Sequence, residues 1–461
     1  MSYGDNLHYE KFADGRVKCI EDEIPFDLPE GWEWVRLGSV GDMTLGKMLD
    51  VTKNKGTLRP YLRNINVRWG AFELSDVLEM RFEDDELERY SIRHGDLVIC
   101  EGGEPGRCAV WQSEEVVFYQ KALHRVRAIE VLPEFLYYVI RHFIISNQYE
   151  RYYTGTTIKH LTGQSLRIIP IPLPPLNEQK LIVEHLQRII EEIDKIETEK
   201  TEALSLVSFA KSKILDLAIR GQLVPQDPDD EPASVLLERI RAEKEELIKQ
   251  GKIKRNKKES IIFRGEDNSY YVRQDTHMES IDEQFIFELP DNWEWCSLLN
   301  IAKIELGKTL DSAKNIGTNY PYLRSVNVRW NEVDLSDLKE MRFEPEELDR
   351  YTVRHNDLLI CEGGDVGRSC VWTDEKEILY QNALHRVRFY GGCNPFYFMY
   401  YMMYYESRGI IKALCKGVTI KHLTGNVLSL IPFALPPIEE QDRIVKRLNR
   451  IFVLLDSIIC D

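Results

Sequence analysis

Residues 28–128 recur 261 positions later, beginning at Leu28-Pro29-Glu30-Gly31-Trp32-Glu33-Trp34 and again at Leu289-Pro290-Asp291-Asn292-Trp293-Glu294-Trp295. Roughly 55–60% of the aligned positions are identical, which marks an internal duplication. Such a chain must build one domain twice, each of about 150 residues. Pro60-Tyr61-Leu62-Arg63-Asn64-Ile65-Asn66-Val67-Arg68-Trp69 matches Pro321-Tyr322-Leu323-Arg324-Ser325-Val326-Asn327-Val328-Arg329-Trp330. Its alternation reads as a strand presenting Arg, Asn and Arg on one face. Asp96–Gly103 and Asp357–Gly364 read as buried strands running into Gly-Gly turns, followed by Arg107 and Arg368. His124-Arg125-Val126-Arg127 and His385-Arg386-Val387-Arg388 read as further strands, and aromatic-rich helices come next. Each copy closes on a shared loop, Gly155–Gly163 and Gly417–Gly425, where the offset has become 262. Mixed strands and helices, with no short repeating unit, predict an α+β fold rather than a solenoid.

Each copy leads into a heptad helix. After Pro174-Pro175-Leu176-Asn177-Glu178-Gln179, apolar residues fall at Ile182, Leu186, Ile189, Ile193 and Ile196, then Ala203, Val207, Ala210, Ile214 and Leu217. The alternating four-and-three spacing predicts a coiled-coil seam in a rod of roughly 65 Å over 176–221. The prolines bar helix before it, Asn177 is placed to cap it, and Gly221 can end it in the left-handed conformation. The pattern returns after Pro436-Pro437-Ile438-Glu439-Glu440-Gln441 with Ile444, Leu448, Ile451, Leu455 and Ile458. The predicted organisation is a lead over 1–27, a domain over 28–175, the spacer helix, and a shorter helix with a basic linker over 222–288. A second domain over 289–437 and a short helix over 438–461 complete it.

The balance of 60 basic and 76 acidic residues, net −16, argues against coating of nucleic acid by the whole surface but leaves local basic faces open. The linker Lys249–Lys258 reads first as a solvated connection and second as a phosphate contact. Nine cysteines, none spaced C-x-x-C, disfavour a disulfide framework or a zinc cluster. No apolar run reaches the ~18 residues of a membrane span, and the first residues lack a signal peptide's regions, so a reduced cytoplasmic chain is expected.

Catalytic motifs are missing. Gly307-Lys308-Thr309 lacks the leading glycine of a phosphate-binding loop, and the other copy has Gly46-Lys47-Met48. Asn394-Pro395-Phe396-Tyr397 lacks the second proline of an amino-methyltransferase motif and becomes Leu132-Pro133-Glu134-Phe135 in the first copy, so it reads as a helix start. Glu101 and Glu362 read as turn residues, and His124, His160, His385 and His422 as isolated polar contacts. No metal site is expected.

Two mixed domains, each followed by Leu-Pro-Pro-x-x-Glu-Gln and a heptad helix, together with Leu215–Gln226, resemble the specificity subunit of type I restriction-modification enzymes over nearly the whole chain. The resemblance implies two target-recognition domains, each reading half of a bipartite double-stranded DNA site. It implies helices forming an antiparallel coiled coil with an approximate two-fold relation, which sets the spacing and docks two methyltransferase subunits. Restriction motor-nuclease subunits would join them. S-adenosylmethionine and ATP are then expected on those partners, with no cofactor and no catalytic residue here. The helix from 438 has about half the length of the first, so its part of the coil reads as incomplete or completed by another subunit.

The residue types suited to DNA are Arg63, Asn66, Arg68 and Arg324, Asn327, Arg329 for base edges, since Arg pairs bidentately with guanine and Asn with adenine. The alternative is that Arg63 and Asn66 organise a strand edge. Lys47, Arg107, Thr157, Lys159, His160 and Lys308, Arg368, Thr419, Lys421, His422 are the phosphate or groove candidates. Partner contacts are expected on the seam, Ile182 to Ile196 and Ile444 to Leu455. Copies this similar predict nearly palindromic half-sites. The competing reading is a stand-alone coiled-coil scaffold with peptide-binding domains; a methyltransferase in its own right is disfavoured by the missing cofactor loop.

Overall fold

The computed structural model describes residues 7–155, 159–255, 260–267, 269–274, 277–281, 287–311, 315–415 and 422–460. The chain divides into two compact units, 1–197 and 198–461.

In the first unit a four-stranded antiparallel sheet runs in the order Cys108–Val110, Leu97–Cys100, Leu123–Ala128, Gly41–Leu45. The unbroken apolar run Leu97-Val98-Ile99-Cys100 is buried on both faces, as alternation of side chains across a covered strand requires. Leu97 and Ile99 join one core with helix α1, Pro133–Ile145; Val98 and Cys100 join another core beneath a second sheet. That sheet has the order Leu78–Phe82, Thr57–Leu62, Val117–Tyr119, Ser91–Ile92, with one parallel pairing, Phe118 opposite Tyr61. The unit is thus three layers, helix on sheet on sheet. Pro133 starts α1 where its missing N–H costs nothing, and Phe135, Leu136, Ile140 and Phe143 are buried, each contributing ~1.5–3 kcal/mol.

Helix α2, Leu176–Ile219, is continuous through the boundary between the units. It begins one residue before Asn177, which therefore lies inside the first turn instead of capping it; Pro175 O accepts from the N–H groups of Glu178 and Gln179. Gly221 ends it as expected, with φ +69° and Gln222 N–H reaching back to Leu217 O at 2.8 Å.

The second unit repeats the first with its register intact: Leu97 faces Val126, and Leu358 faces Val387. It adds helix α3, Ala233–Lys249, and a three-stranded sheet over Ile261–Arg264, Tyr270–Gln274 and His277–Ser280. Helix α4, Pro395–Ser407, is the counterpart of α1, and helix α5, Ile438–Cys460, closes the unit. The end of α2 and α5 run antiparallel: Lys211 pairs with Asp456 at 2.5 Å, whereas Gln226, beyond the end of α2, donates to Glu440 at 2.6 Å.

The seam is only partly covered. Ile182 and Leu186 are half-buried, but Ile189, Ile193 and Ile196 are about half exposed. In the second unit Val207 is buried, yet Leu217 is exposed while its neighbours Leu215 and Ala218 are buried, because the helix end packs on that unit's own core. Ile444 and Leu448 are also absorbed into this core, and Ile451 and Leu455 are half-buried.

Candidate nucleic-acid interface

The expected single strand over 60–69 is broken. Thr57–Leu62 ends at a tight turn, Asn64–Asn66, because the Asn66 side chain competes with the strand ladder. Asn66 Oδ1 accepts from Arg63 N–H at 2.9 Å, and Nδ2 donates to Glu73 O and Asp76 O at 2.9 and 3.0 Å. Asn327 makes the same three bonds. Both asparagines are almost fully buried with their amides committed, so they build the turn and do not face a base edge. Arg63 and Arg324 likewise pair with Asp76 and Asp337 at 2.8 and 2.7 Å. The strand-organising alternative is the one the geometry takes for these four residues. Arg68 and Arg329 lie at the exposed end of this turn.

Lys47 and Lys308 are placed otherwise than expected. Lys47 is buried and paired with Glu83 and Glu86; Lys308 pairs with Glu347. Burial would lower the pKa of Lys47, but the carboxylates of Glu83 and Glu86 outweigh it and hold the ammonium above the ordinary lysine range. The preceding glycine lets the chain pass closely over Gln120, and Lys47 N–H donates to Tyr119 O at 3.1 Å, which draws the side chain inward.

A surface does assemble from three other segments. The turn Glu101-Gly102-Gly103-Glu104, the turn at Asn64 and the stretch at Lys159-His160 come together. Arg107 Nη2 donates to Asn64 O at 2.9 Å, and Trp69 Nε1 donates to Glu104 Oε1 at 3.0 Å. Leu161 N–H donates to Glu101 O at 2.8 Å. A side chain on Gly102 would lie 3.0 Å from His160 Nδ1, and one on Gly103 would lie 2.9 Å from Asn64 Nδ2, so the second glycine, at φ +80°, serves both its backbone and its neighbour. Lys159 pairs with Glu150 at 2.9 Å and lies over the Tyr153 ring. In the second unit Arg368 Nη2 donates to Ser325 O at 3.0 Å, Leu423 N–H to Glu362 O at 2.9 Å, and His422 stands beside Gly363. Thr157, Thr419 and Lys421 lie outside the described residues.

Asn64 and Ser325 were missed from sequence. They sit between the Gly-Gly turn and the arginine, and the available signal was that this position is one of two that differ between the copies within 60–69 and 321–330, the other being the conservative Ile65/Val326. His124 and His385 are structural: Nε2 of each bonds to the carbonyl of Leu161 or Leu423, at 3.1 and 2.8 Å. Burial lowers the His124 pKa to about 4, against the pull of that carbonyl, and lowers that of His385 as well. Among the described residues no group of three or more His, Cys, Asp or Glu is placed to hold a metal, and no helix is long and apolar enough to cross a membrane.

A duplicated α+β unit, each copy offering the same turn-lined surface and closing on a long or heptad-patterned helix, defines a protein with two related binding faces. The family model for the type I restriction modification DNA specificity domain matches residues 29–206 and again 290–458, and the chain belongs to this family. It is 24% identical over 501 residues to the type I restriction enzyme EcoAI specificity subunit of Escherichia coli, covering 94% of this chain and 79% of that one. The EcoKI specificity subunit of Escherichia coli strain K12 is 23% identical, covering 94% and 84%. The fold is similar to a chain from a structure of the type I R-M system describing its complex assembly and conformational transition, with TM-score 0.61, 20% identity and coverage of 94% and 93%. It is also similar to the HsdS subunit from Thermoanaerobacter tengcongensis, with TM-score 0.54, 21% identity and coverage of 94% and 92%.

Proposed function

We propose that this chain gives a type I restriction-modification complex its address. Each unit reads one half of a bipartite duplex site with its turn-lined surface, and the helices carry two methyltransferase subunits alongside the restriction subunits. S-adenosylmethionine and ATP belong to those partners, the chain itself does no chemistry, and the complex works in the cytoplasm. The observation that carries this reading is the recurrence of one surface, Arg107, Asn64 and His160 in one copy, Arg368, Ser325 and His422 in the other, around the same Gly-Gly turn. The proposed DNA contacts are Arg68, Arg107, Lys159 and His160 with Arg329, Arg368 and His422, together with Thr157, Thr419 and Lys421, which lie outside the described residues. The half-sites are nearly palindromic, with differences such as Arg59/Tyr320, Gly70/Asn331 and Lys121/Asn382 changing a base or two. The test is to map methylated bases in a genome carrying this chain and its methyltransferase. Two inverted, similar half-sites are expected; half-sites without inverted similarity would refute the palindromic reading, and methylation independent of this chain would refute the address role.

A further inference from the structure

The second unit contains a cleft of 560 Å3 where α3, the start of the basic linker, the strand Ala302–Leu306 and the turn at Thr424 meet. Lys244, Lys252, Lys254 and Lys303 line it, and none of its lining residues is acidic. In a chain of net charge −16, a cleft lined by four lysines, of which Lys303 is paired with Glu305, keeps a local excess of positive charge. His385 also lines it: its side chain is 1% exposed, Nε2 is bonded to Leu423 O, and Nδ1 has no hydrogen-bond partner among the described residues. Two of the lysines are partly engaged, Lys244 with Leu299 O at 3.2 Å and Lys303 with Glu305 at 2.9 Å.

The first unit shows why the cleft exists. At the position of Ser429 it carries Arg167, whose Nη2 donates to Met43 O at 2.8 Å and whose stem packs on Gly38. At the position of Lys303 it carries Asp42, paired with Arg125 at 2.9 Å. Exchange of a long arginine for Ser429 opens the space, and exchange of an aspartate for Lys303 reverses the charge. The linker lysines follow α3, an element that the described residues of the first unit do not contain.

We infer that this cleft binds a backbone phosphate of the DNA engaged by the second unit. The inference rests on the DNA reading proposed above. Thr424 and Gly425 continue directly from His422, which stands against the Gly363 turn, so the cleft adjoins the turn-lined surface. Lysines act as rotatable point charges suited to a phosphate of any neighbouring sequence, so the cleft adds affinity and register without reading a base. The contact is one-sided: the second half-site is held by more phosphates than the first.

The test uses the full-length chain and a duplex containing its selected site, titrated by fluorescence anisotropy across a salt series. Replacing Lys252, Lys254 and Lys303 together by glutamine is expected to lower the slope of log K against log salt by about one, since the lost phosphate contact removes ~0.9, with the selected bases unchanged. Ser429→Arg is the second variant. Leu299 stands where the first unit has Gly38 against the Arg167 stem, so arginine at 429 is turned into the cleft, fills it, and weakens binding roughly tenfold although it adds a positive charge. An unchanged slope in the triple variant, or tighter binding by Ser429→Arg, overturns the proposal. Calorimetry with inorganic phosphate separates the sources: phosphate binding that the triple variant loses while duplex affinity and slope stay intact overturns the DNA assignment in favour of a free anion. Failure of the wild type to retain any duplex overturns the DNA reading, and the cleft assignment with it.

Discussion

Gln179 accepts a hydrogen bond from the backbone N–H of Leu132 at 2.9 Å while its own amide donates to Pro174 O at 2.9 Å. Gln441 repeats both bonds, to Asn394 N–H at 2.8 Å and Pro436 O at 2.9 Å. The last residue of each Leu-Pro-Pro-x-x-Glu-Gln motif is therefore a buried fastening between the start of the following helix and the N-terminus of α1 or α4. Glutamine suits the place because one amide supplies both the acceptor and the donor.

Gln179→Leu is expected to destabilise the first unit, and Gln441→Leu the second, by ~1–3 kcal/mol each, because a buried N–H and a buried carbonyl lose their partner. Urea unfolding of the two variants against the wild type measures this. Changes below about 0.5 kcal/mol would show that water or a backbone shift replaces the amide.

The buried histidines make stability depend on acid. His124 titrates at about 4 in the folded chain against 6.5 for the free group. As pH falls the unfolded chain takes up this proton first, so stability falls between about 6.5 and 4, by up to ~3 kcal/mol from this residue. His385, lowered for the same reason, acts in the same direction. The pH dependence of unfolding should flatten in His124→Gln, which keeps a donor toward Leu161 O; a variant as acid-sensitive as the wild type would assign the effect elsewhere.

Ile189, Ile193 and Ile196 form an apolar stripe that the described residues leave about half exposed. Changing all three to serine should leave the unfolding midpoint within about 6 °C, since exposed substitutions rarely exceed ~0.5 kcal/mol each and 1 kcal/mol shifts a unit of this size by ~2–4 °C. Binding of methyltransferase subunits should weaken at least tenfold. Full assembly by the triple variant, measured by analytical ultracentrifugation, would remove the stripe from the docking surface.

Inserting four residues between 196 and 207 adds about 6 Å of helix and breaks the seven-residue phase. The half-sites should stay the same while the spacing between them changes. Methylation at the original spacing would show that this helix is not the spacer.

The duplication, the buried strands and both long helices were legible because their signals are local: repeated words, apolar runs and heptads. The strand over 60–69 was misread because alternation alone does not reveal that Asn66 folds back on Arg63 N–H. Lys47 was misread because its partners, Glu83 and Glu86, approach from a different strand connection. Leu217 kept its place in the heptad but not its burial, since the packing of α2 near its end is decided by the domain beside it rather than by a partner helix.

The ion pairs at the turn-lined surfaces carry a consequence for selectivity. Arg107 already faces Glu104, Arg368 faces Asp365 and Lys159 faces Glu150. A phosphate arriving there exchanges one anion for another instead of meeting a bare cation. Under the proposed DNA contacts, such an exchange would gain little from any passing stretch of duplex and would become favourable where the displaced carboxylate finds a donor on a base, so that an acidic protein would stay unbound amid a large excess of DNA and still close on the few sequences that complete the exchange.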